Sequence, residues 1–296
     1  MKLHTQILLI LLAISGAAIP VKAQLDPLGA QYYTNQYIAN PALAGDTTGI
    51  KINGVYRQLW NNVPGAPSTQ NLTADYGFKK VGVGININNE SAGLLKQTRV
   101  VGTYAYHIPM KDPKQQLHFG VSFGFSNQRL ETSDVDGDEG DPSVGMYNNR
   151  KTYLDGDFGI AYTSNRFSIQ AAVPNLKNFF KKETLNQAEV NTFYTAVSYR
   201  FSLYEGDNGI LLEPKMAYRG IQNFDNIWDA GAQLSMVDRQ IMISTIYHST
   251  HSTTFGLGMD FRRKYLFTAM YTSQTAALAG YTNGSFEVNL RITVGK

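Results

Sequence analysis

Cysteine is absent from this 296-residue sequence, and both charged residues and long apolar runs are scarce. Without thiols the chain has no disulfide framework, no cysteine-based zinc site and no thiol nucleophile. Charged residues make up 17% of the chain, whereas soluble domains usually contain roughly 25%. The net charge of +3 is too small to indicate nucleic acid as a partner. Beyond the N-terminus no apolar run reaches the ~18 residues that a membrane-spanning helix requires.

The first 23 residues have the features of a secretory signal peptide. A basic start at Lys2 precedes an apolar run over residues 7–18, and Val21 and Ala23 occupy the two positions that signal peptidase recognises. A membrane anchor would need a longer apolar core, so we expect cleavage before Gln24 and export of the mature chain. Residues 1–23 are therefore left out of the fold prediction.

Alternation between apolar and small or polar residues begins near residue 49 and continues to the C-terminus. Phe119, Val121 and Phe123, for example, alternate with Gly120 and Ser122, which puts the two sets on opposite faces of a strand. About fourteen segments have this pattern, and only residues 175–188 are compatible with a helix of any length. The predicted strands cover residues 48–60, 66–78, 80–88, 95–108, 115–128, 153–163, 166–173, 190–204, 209–219, 226–236, 239–248, 252–262, 264–273 and 283–294.

The length of these strands and the order of their connections favour a membrane barrel. Most strands have 9–13 residues, longer than the usual five or six and typical of tilted strands that cross a bilayer. Short connections alternate with connections that include the three longest, at 128–152, 174–189 and 273–283. We therefore predict an all-β fold, a transmembrane antiparallel β-barrel of the outer membrane with about 14 strands. A secreted β-sandwich or jelly roll is the soluble alternative.

Four short motifs resemble those of the PorP/SprF family, outer-membrane barrel proteins associated with type IX secretion and gliding. They read Asn-Pro-Ala-Leu-Ala-Gly at 40–45, Arg-Gln-Leu-Trp at 57–60, Pro-Gly-Ala-Pro-Ser-Thr at 64–69 and Gly-Ser-Phe-Glu at 284–287. Leu43 stands where the family has an aromatic residue, and Phe286 where it often has histidine. The positions that match the family are Asn40, Pro41, Ala42, Gly45, Arg57, Gln58, Trp60, Gly65, Ala66, Pro67, Thr69, Gly284, Ser285 and Glu287.

The resemblance covers the mature chain and implies both its organisation and its role. Residues 24–47 are expected to form a periplasmic segment that packs against or enters the mouth of a barrel formed by residues 48–296. The family implies a non-enzymatic component or accessory of type IX secretion or gliding that supports secretion or surface attachment of cargo such as a large adhesin. Implied partners are outer-membrane lipid and other secretion components, including a periplasmic peptidoglycan-binding lipoprotein. The alternative is an outer-membrane diffusion pore or uptake channel, with both termini periplasmic in either case.

Candidate chemistry is sparse, and we predict neither an enzyme nor a cofactor. An acidic run could wrap Ca²⁺, but it fails the EF-hand pattern at its sixth and twelfth positions, so a solvated loop is the better interpretation. His248 and His251 lack a third metal ligand. His118 and Ser122 share a strand face but lie about 13 Å apart, too far to act together. The acidic run consists of Asp134, Asp136, Asp138, Glu139 and Asp141.

Inward-facing charges are expected to pair across the lumen, and rows of glycine such as Gly82 with Gly84 and Gly120 with Gly124 are expected either to relieve crowding there or to let a plug segment approach closely. The loops at 128–152 and 174–189, one acidic and the other aromatic and basic around Lys177 and Phe179, are expected to face outward. They are predicted either to recognise cargo or to pair with each other, with residues 31–45 as the next candidate for partner contact. The predicted lumen charges are Arg99, Asp155, Asp157, Glu213, Lys215, Asp229, Asp260, Glu287 and Arg291.

Overall fold

The computed structural model describes residues 29–112, 114–131, 152–176, 191–204, 209–221, 225–237, 239–275 and 280–295. The predicted signal peptide, the acidic run at 134–141 and nearly all of the segment at 175–188 lie outside these ranges. Within them, no helix is long and apolar enough to cross a membrane.

Fifteen antiparallel strand segments form a single closed sheet. Apart from β8 and β9, which both pair with β10, consecutive strands pair with one another, and β15 pairs with β1, so the sheet closes on itself and the sandwich alternative is wrong. The strands are β1 (Gly49–Leu59), β2 (Ser68–Phe78), β3 (Val81–Ala92), β4 (Leu95–Pro109), β5 (Gln116–Leu130), β6 (Tyr153–Thr163), β7 (Phe167–Val173), β8 (Asn191–Tyr199), β9 (Phe201–Tyr204), β10 (Ile210–Ile221), β11 (Ile227–Met236), β12 (Ile241–His248), β13 (Ser252–Phe261), β14 (Tyr265–Thr272) and β15 (Ser285–Val294).

β8 and β9 are two parts of one barrel strand, because both pair with β10 on either side of a break at Arg200. The barrel therefore has the fourteen strands that the periodicity predicts. The break has a local cause. Pro214 on β10 lies opposite the interruption and has no N–H to donate to it. On the other side of the strand, the Arg200 N–H donates to the Arg166 carbonyl at 2.6 Å.

β3 is longer than its predicted span of 80–88. Its last residues are mostly polar, which ended the apolar alternation in the sequence, yet they continue the ladder with β4 as far as Ala92 opposite Leu95. Hydrogen bonding between neighbouring backbones, rather than side-chain polarity, sets the end of this strand.

Alternate side chains of each strand face lipid and the lumen, as the alternation in the sequence predicted. On β5, Val121 and Phe123 are 50% and 67% exposed, whereas the intervening Gly120 and Ser122 are buried. Leu257 and Val288 are likewise exposed on their strands. Because the outer row meets lipid and the inner row meets the filled lumen, each strand carries one row of each kind.

The two ends of the barrel differ in their connections. We call the end that holds the start of β1 and the end of β15 the short-turn end; its connections span 79–80, 110–115, 164–166, 205–209, 237–240 and 262–264. The opposite, long-loop end includes the three longest connections, 131–152, 174–190 and 273–284. The predicted sorting of connections by length is therefore present.

The lumen contains the chain's own N-terminal segment, residues 29–47, which we call the plug. Three short 3-10 turns, Gln31–Tyr33, Gln36–Ile38 and Pro41–Leu43, keep it compact, and most of its residues are buried. It begins beside Glu287, close to the long-loop end of β15, and finishes beside Gly77 at the short-turn end. The expectation that this segment enters the mouth thus understated how far it reaches.

Candidate functional site: the plugged lumen

Glycines on the inner faces of the strands allow the plug to lie directly against the barrel wall. A Cβ on Gly120 would lie 2.3 Å from the backbone of Pro41 and Ala42, and a Cβ on Gly82 would lie 1.9 Å from the Ala44 carbonyl. No side chain fits in such a gap without moving the plug backbone. The predicted close approach of a plug to Gly82, Gly84 and Gly120 is confirmed, whereas Gly124 and Gly256 face other wall residues.

The Asn40 motif joins the plug to β6 and β7. The Asn40 Oδ1 accepts a hydrogen bond from the Ala42 N–H at 3.0 Å, which caps the Pro41–Leu43 turn. Its Nδ2 donates to the carbonyls of Ile160 at 3.1 Å and Ala171 at 3.4 Å. A side chain that holds its own turn and two wall strands has a structural role.

Gly45 completes this motif with a left-handed backbone at φ 62°, which glycine adopts without steric cost. Its N–H donates to the Asp75 Oδ2 at 2.9 Å, and a Cβ here would lie 2.6 Å from the Gly82 Cα. Only glycine fits both the backbone angle and the gap, so the last residue of the motif turns the chain from the plug into β1.

The tyrosines at the start of the plug, Tyr32 and Tyr33, pack against β10, on the side of the lumen opposite Gly45. Lys215 donates from Nζ to the Tyr32 carbonyl at 3.2 Å and lies 5.4 and 4.8 Å from the ring centres of Tyr32 and Tyr33. The Tyr33 hydroxyl donates to the Lys215 carbonyl at 3.3 Å. Burial raises the pKa of Tyr33, which keeps this hydroxyl protonated as a donor.

A buried charge cluster lies beneath Tyr32. The Tyr32 hydroxyl donates to the Asp229 Oδ2 at 3.2 Å, and the same oxygen lies 2.7 Å from an Arg219 nitrogen. The other Asp229 oxygen lies 2.6 Å from the His248 Nδ1. Arg219 and Asp229 are at most 1% exposed, so their contact compensates two charges that are both removed from water. His251 contacts Tyr247 instead, so the two histidines form no shared site.

Arg57 and Glu287, two positions that match the family, meet at the start of the plug. Both Glu287 oxygens accept from the Ala30 N–H, at 3.0 and 3.1 Å, and one lies 3.5 Å from the Arg57 Nε. Glu287 thus contacts the plug directly, and Arg57 lies beside it. Sequence reasoning placed Glu287 in the lumen but had no signal for its plug partner.

The other positions that match the family lie in the hairpins at the rim of the long-loop end. The Trp60 N–H donates to the Gly284 carbonyl at 2.8 Å, and the Leu59 N–H to the Pro67 carbonyl at 2.9 Å. The Gly65 carbonyl accepts from the Gly93 N–H at 2.8 Å. These contacts join the first hairpin to β15 and to the β3–β4 connection, apart from the Asn40 group deeper in the lumen. The remaining matched positions, Gln58, Ala66, Thr69 and Ser285, lie in the same hairpins.

Several of the predicted lumen charges do form ion pairs, but these pairs join nearby strands of the wall and do not cross the lumen as predicted. Arg99 contacts Asp155 at 2.8 Å and Asp157 at 2.7 Å, bridging β4 and β6 across β5. Further pairs join Arg200 to Glu213 at 2.7 Å and Arg291 to Asp260 at 3.6 Å.

Two buried histidines, His107 and His118, belong to one hydrogen-bonded chain. The His107 Nε2 donates to the Ala44 carbonyl at 3.1 Å, so its Nδ1 accepts from the His118 Nδ1 at 2.7 Å. The His118 Nε2 then accepts from the Thr163 hydroxyl at 2.7 Å. Ser122 bonds to Thr103 and not to His118. Among the described residues no group of three His, Asp or Glu could hold a metal ion, and the acidic run at 134–141 lies outside them.

Space remains on both sides of the plug. A polar cavity of about 430 Å³ lies at the short-turn end, and a pocket of about 50 Å³ lies beside Trp60 at the other end. Asp46 and Lys51 form an ion pair at the larger cavity, where Lys51 also lies 3.4 Å from Asp75. Burial would raise the pKa of Asp46, but the Lys51 ammonium holds it below its usual range.

A closed antiparallel barrel whose outer row of side chains faces lipid is the architecture of the outer-membrane β-barrels. In this chain the N-terminal segment also fills the lumen. Residues 21–292 match the family of type IX secretion system membrane proteins PorP/SprF. The chain belongs to this family, and fold and family together place it in the outer membrane. No curated protein matches it significantly.

Solved structures resemble the fold at low sequence identity. The outer membrane protein Omp33 of Acinetobacter baumannii is 8% identical with a TM-score of 0.51, and the match covers 84% of this chain and all of that one. The toluene transporter TbuX of Ralstonia pickettii is 10% identical, with a TM-score of 0.49 and coverage of 87% and 93%. A porin variant from Rh. blastica is 9% identical, with a TM-score of 0.37 and coverage of 84% and 99%. The likeness to Omp33 shows the fold alone.

Proposed function

We propose that this protein is a non-enzymatic, sealed barrel of type IX secretion that supports secretion or surface attachment of a cargo such as a large adhesin. The observation that carries the proposal is the plug. A lumen filled by the chain's own segment leaves no open route for solutes, so we assign the barrel the role of an anchor and a binding platform.

The contacts of the plug support a permanent seal. It is bonded to β15 through Glu287, to β10 and β11 through Lys215 and Asp229, and to β6 and β7 through Asn40. Withdrawing the plug would expose buried polar groups on several strands at once, which is costly unless water replaces every hydrogen bond. This disfavours the diffusion pore or uptake channel.

The orientation follows the usual asymmetry of outer-membrane barrels, with long loops outside and short turns in the periplasm. In this orientation the start of β1 and the end of β15 are periplasmic, and the loops at 131–152 and 174–190 meet cargo. The plug begins near the outer end of the lumen, beside Glu287, so the prediction of a periplasmic terminus is kept for the C-terminus alone. The short-turn end meets envelope partners such as a peptidoglycan-binding lipoprotein. Residues 31–45, the second sequence candidate for partner contact, are mostly buried in the lumen and are withdrawn from that role.

Conductance in planar bilayers tests the seal. The wild-type barrel is expected to show no steady ion conductance, whereas a variant lacking residues 24–45 should open channels. A variant lacking residues 134–141 keeps the plug and is the matched control, expected to stay closed. Steady conductance by the wild-type protein, equal to that of the plugless variant, would favour the pore.

Deletion of residues 134–141 also tests the cargo role of the acidic loop. The deletion removes no ladder hydrogen bond of a described strand, so the barrel should insert and keep heat-modifiable gel mobility. Surface display of the cargo, measured by antibody labelling of intact cells, should fall. Normal insertion with unchanged display would show that this loop does not recognise cargo.

A further inference from the structure

Basic side chains dominate the connections at the short-turn end. All are exposed, and the acidic residue in the described parts of these connections is Asp112, whose side chain accepts from the Lys114 N–H at 2.9 Å. We call these basic residues the collar. The collar consists of Lys79, Lys80, Lys111, Lys114, Arg166, Arg239, Arg262, Arg263 and Lys264.

The collar is spread around most of the barrel instead of forming one patch. Its residues occur in five of the six short-turn connections, 79–80, 110–115, 164–166, 237–240 and 262–264, whereas the sixth, 205–209, has Glu205 and Asp207 in the sequence and no basic residue. A docked protein usually covers about 800 Å² on one side of its partner. Charge spread over five connections instead matches a ligand that surrounds the barrel, which is lipid.

Phenylalanine side chains at the strand ends place the collar at the level of the lipid headgroups. Phe78 and Phe261 are exposed on the lipid face at the last residues of β2 and β13. The Lys79 Nζ lies 5.1 Å from the Phe78 ring centre, and the Arg262 Cζ lies 5.1 Å from that of Phe261. Aromatic side chains on the lipid face concentrate at the membrane–water interface, so a cation beside each ring meets the phosphates.

Several of these basic residues have a left-handed backbone conformation, which lysine and arginine rarely adopt. Arg262 and Arg263 both have left-handed backbones, at φ 54° and 55°, and the Lys264 N–H donates to the Phe261 carbonyl at 3.0 Å to close the turn. Lys79 and Arg239 are also left-handed, at φ 55° and 68°. Hairpin turns with left-handed residues favour asparagine and glycine, so arginine and lysine at these positions lower the local stability of the turn. What they add to the turn is positive charge.

We propose that the collar binds the phosphates of anionic phospholipids, such as phosphatidylglycerol, in the leaflet at the short-turn end. Lysine and arginine donate to phosphate oxygens, and each basic residue near an anionic surface strengthens binding about fivefold. Described charges at the long-loop end are of mixed sign, with Lys96 paired to Glu131 at 2.5 Å. The proposal is independent of the secretion role.

Native mass spectrometry of the mature protein in detergent tests lipid binding with two added probes, phosphatidylglycerol and phosphatidylcholine. The test variant combines Lys79→Asn, Arg262→Asn and Arg263→Gly, which suit left-handed turns and should fold as well as wild type. The control combines Lys96→Gln with Arg129→Gln at the other end. Wild type and control should retain phosphatidylglycerol preferentially, and the test variant should lose about fivefold in affinity for each removed residue that touches a lipid.

A second variant, Lys111→Gln with Arg166→Gln, alters turns whose changed residues are not left-handed and covers the case in which the first misfolds. Raised salt should weaken the wild-type preference, because exposed charges are screened. Equal retention of the two lipids by wild type, or an unchanged preference in the folded variants, would overturn the proposal. A variant that keeps the lipid preference but no longer co-purifies with other secretion components would show that the collar docks an acidic protein instead.

Discussion

Gly120→Ala isolates the contact between the plug and the wall with a single added methyl group. The new Cβ would lie 2.3 Å from the Pro41 carbonyl carbon and the Ala42 N, and both are backbone atoms held by the Asn40 cap. Neither can rotate away, so the plug or β5 must shift. Overpacking of this kind costs about 1–3 kcal/mol of unfolding free energy.

Gly102→Ala on the neighbouring strand is the matched control. This glycine faces outward, and the nearest atom to its added Cβ is the Phe123 carbonyl oxygen at 3.9 Å. Removing backbone freedom from the unfolded chain should then stabilise the protein by about 0.5–1 kcal/mol. The two chemically identical changes are therefore expected to differ by about 1.5–4 kcal/mol, with opposite signs.

Urea unfolding in lipid vesicles, followed by tryptophan fluorescence and gel mobility, measures both changes. A double-mutant cycle with the plug deletion assigns the cause, because Gly120→Ala should cost nothing in a barrel that lacks residues 24–45. Equal effects of Gly120→Ala and Gly102→Ala would refute the contact. A cost that persists without the plug would place the clash within the wall instead.

Two further changes test the buried cluster and the lipid face. Asp229→Asn should lower the free energy of unfolding by about 3–5 kcal/mol, because it removes the carboxylate charge that lies 2.7 Å from the buried Arg219; the urea midpoint measures the loss, and adding Arg219→Met should recover part of it. Phe123→Lys or Leu257→Lys should cost about 2–4 kcal/mol near the bilayer midplane, measured in the same vesicles, while Phe123→Leu should cost little. A Phe123→Lys protein as stable as Phe123→Leu would contradict the assigned alternation.

Local pattern alone was enough to predict the barrel. Alternation such as Phe123 beside Ser122 has a period of two wherever one strand face meets lipid, and this requirement acts on each strand separately. Strand number, most strand ends and the sorting of connections followed from it. The errors were local as well: polar residues concealed the end of β3, and Pro214 interrupts the strand that contains Arg200.

The position of the plug was decided by the tertiary structure. The sequence contained its parts, namely the Asn40 motif, the tyrosines at 32 and 33 and the inward glycines, but no local pattern relates Tyr32 to Asp229 or Ala42 to Gly120. Those pairs are distant along the chain and meet only because the sheet closes and encloses the segment. The periodicity of a strand determines which face looks inward, whereas what occupies the interior depends on closure of all fourteen strands.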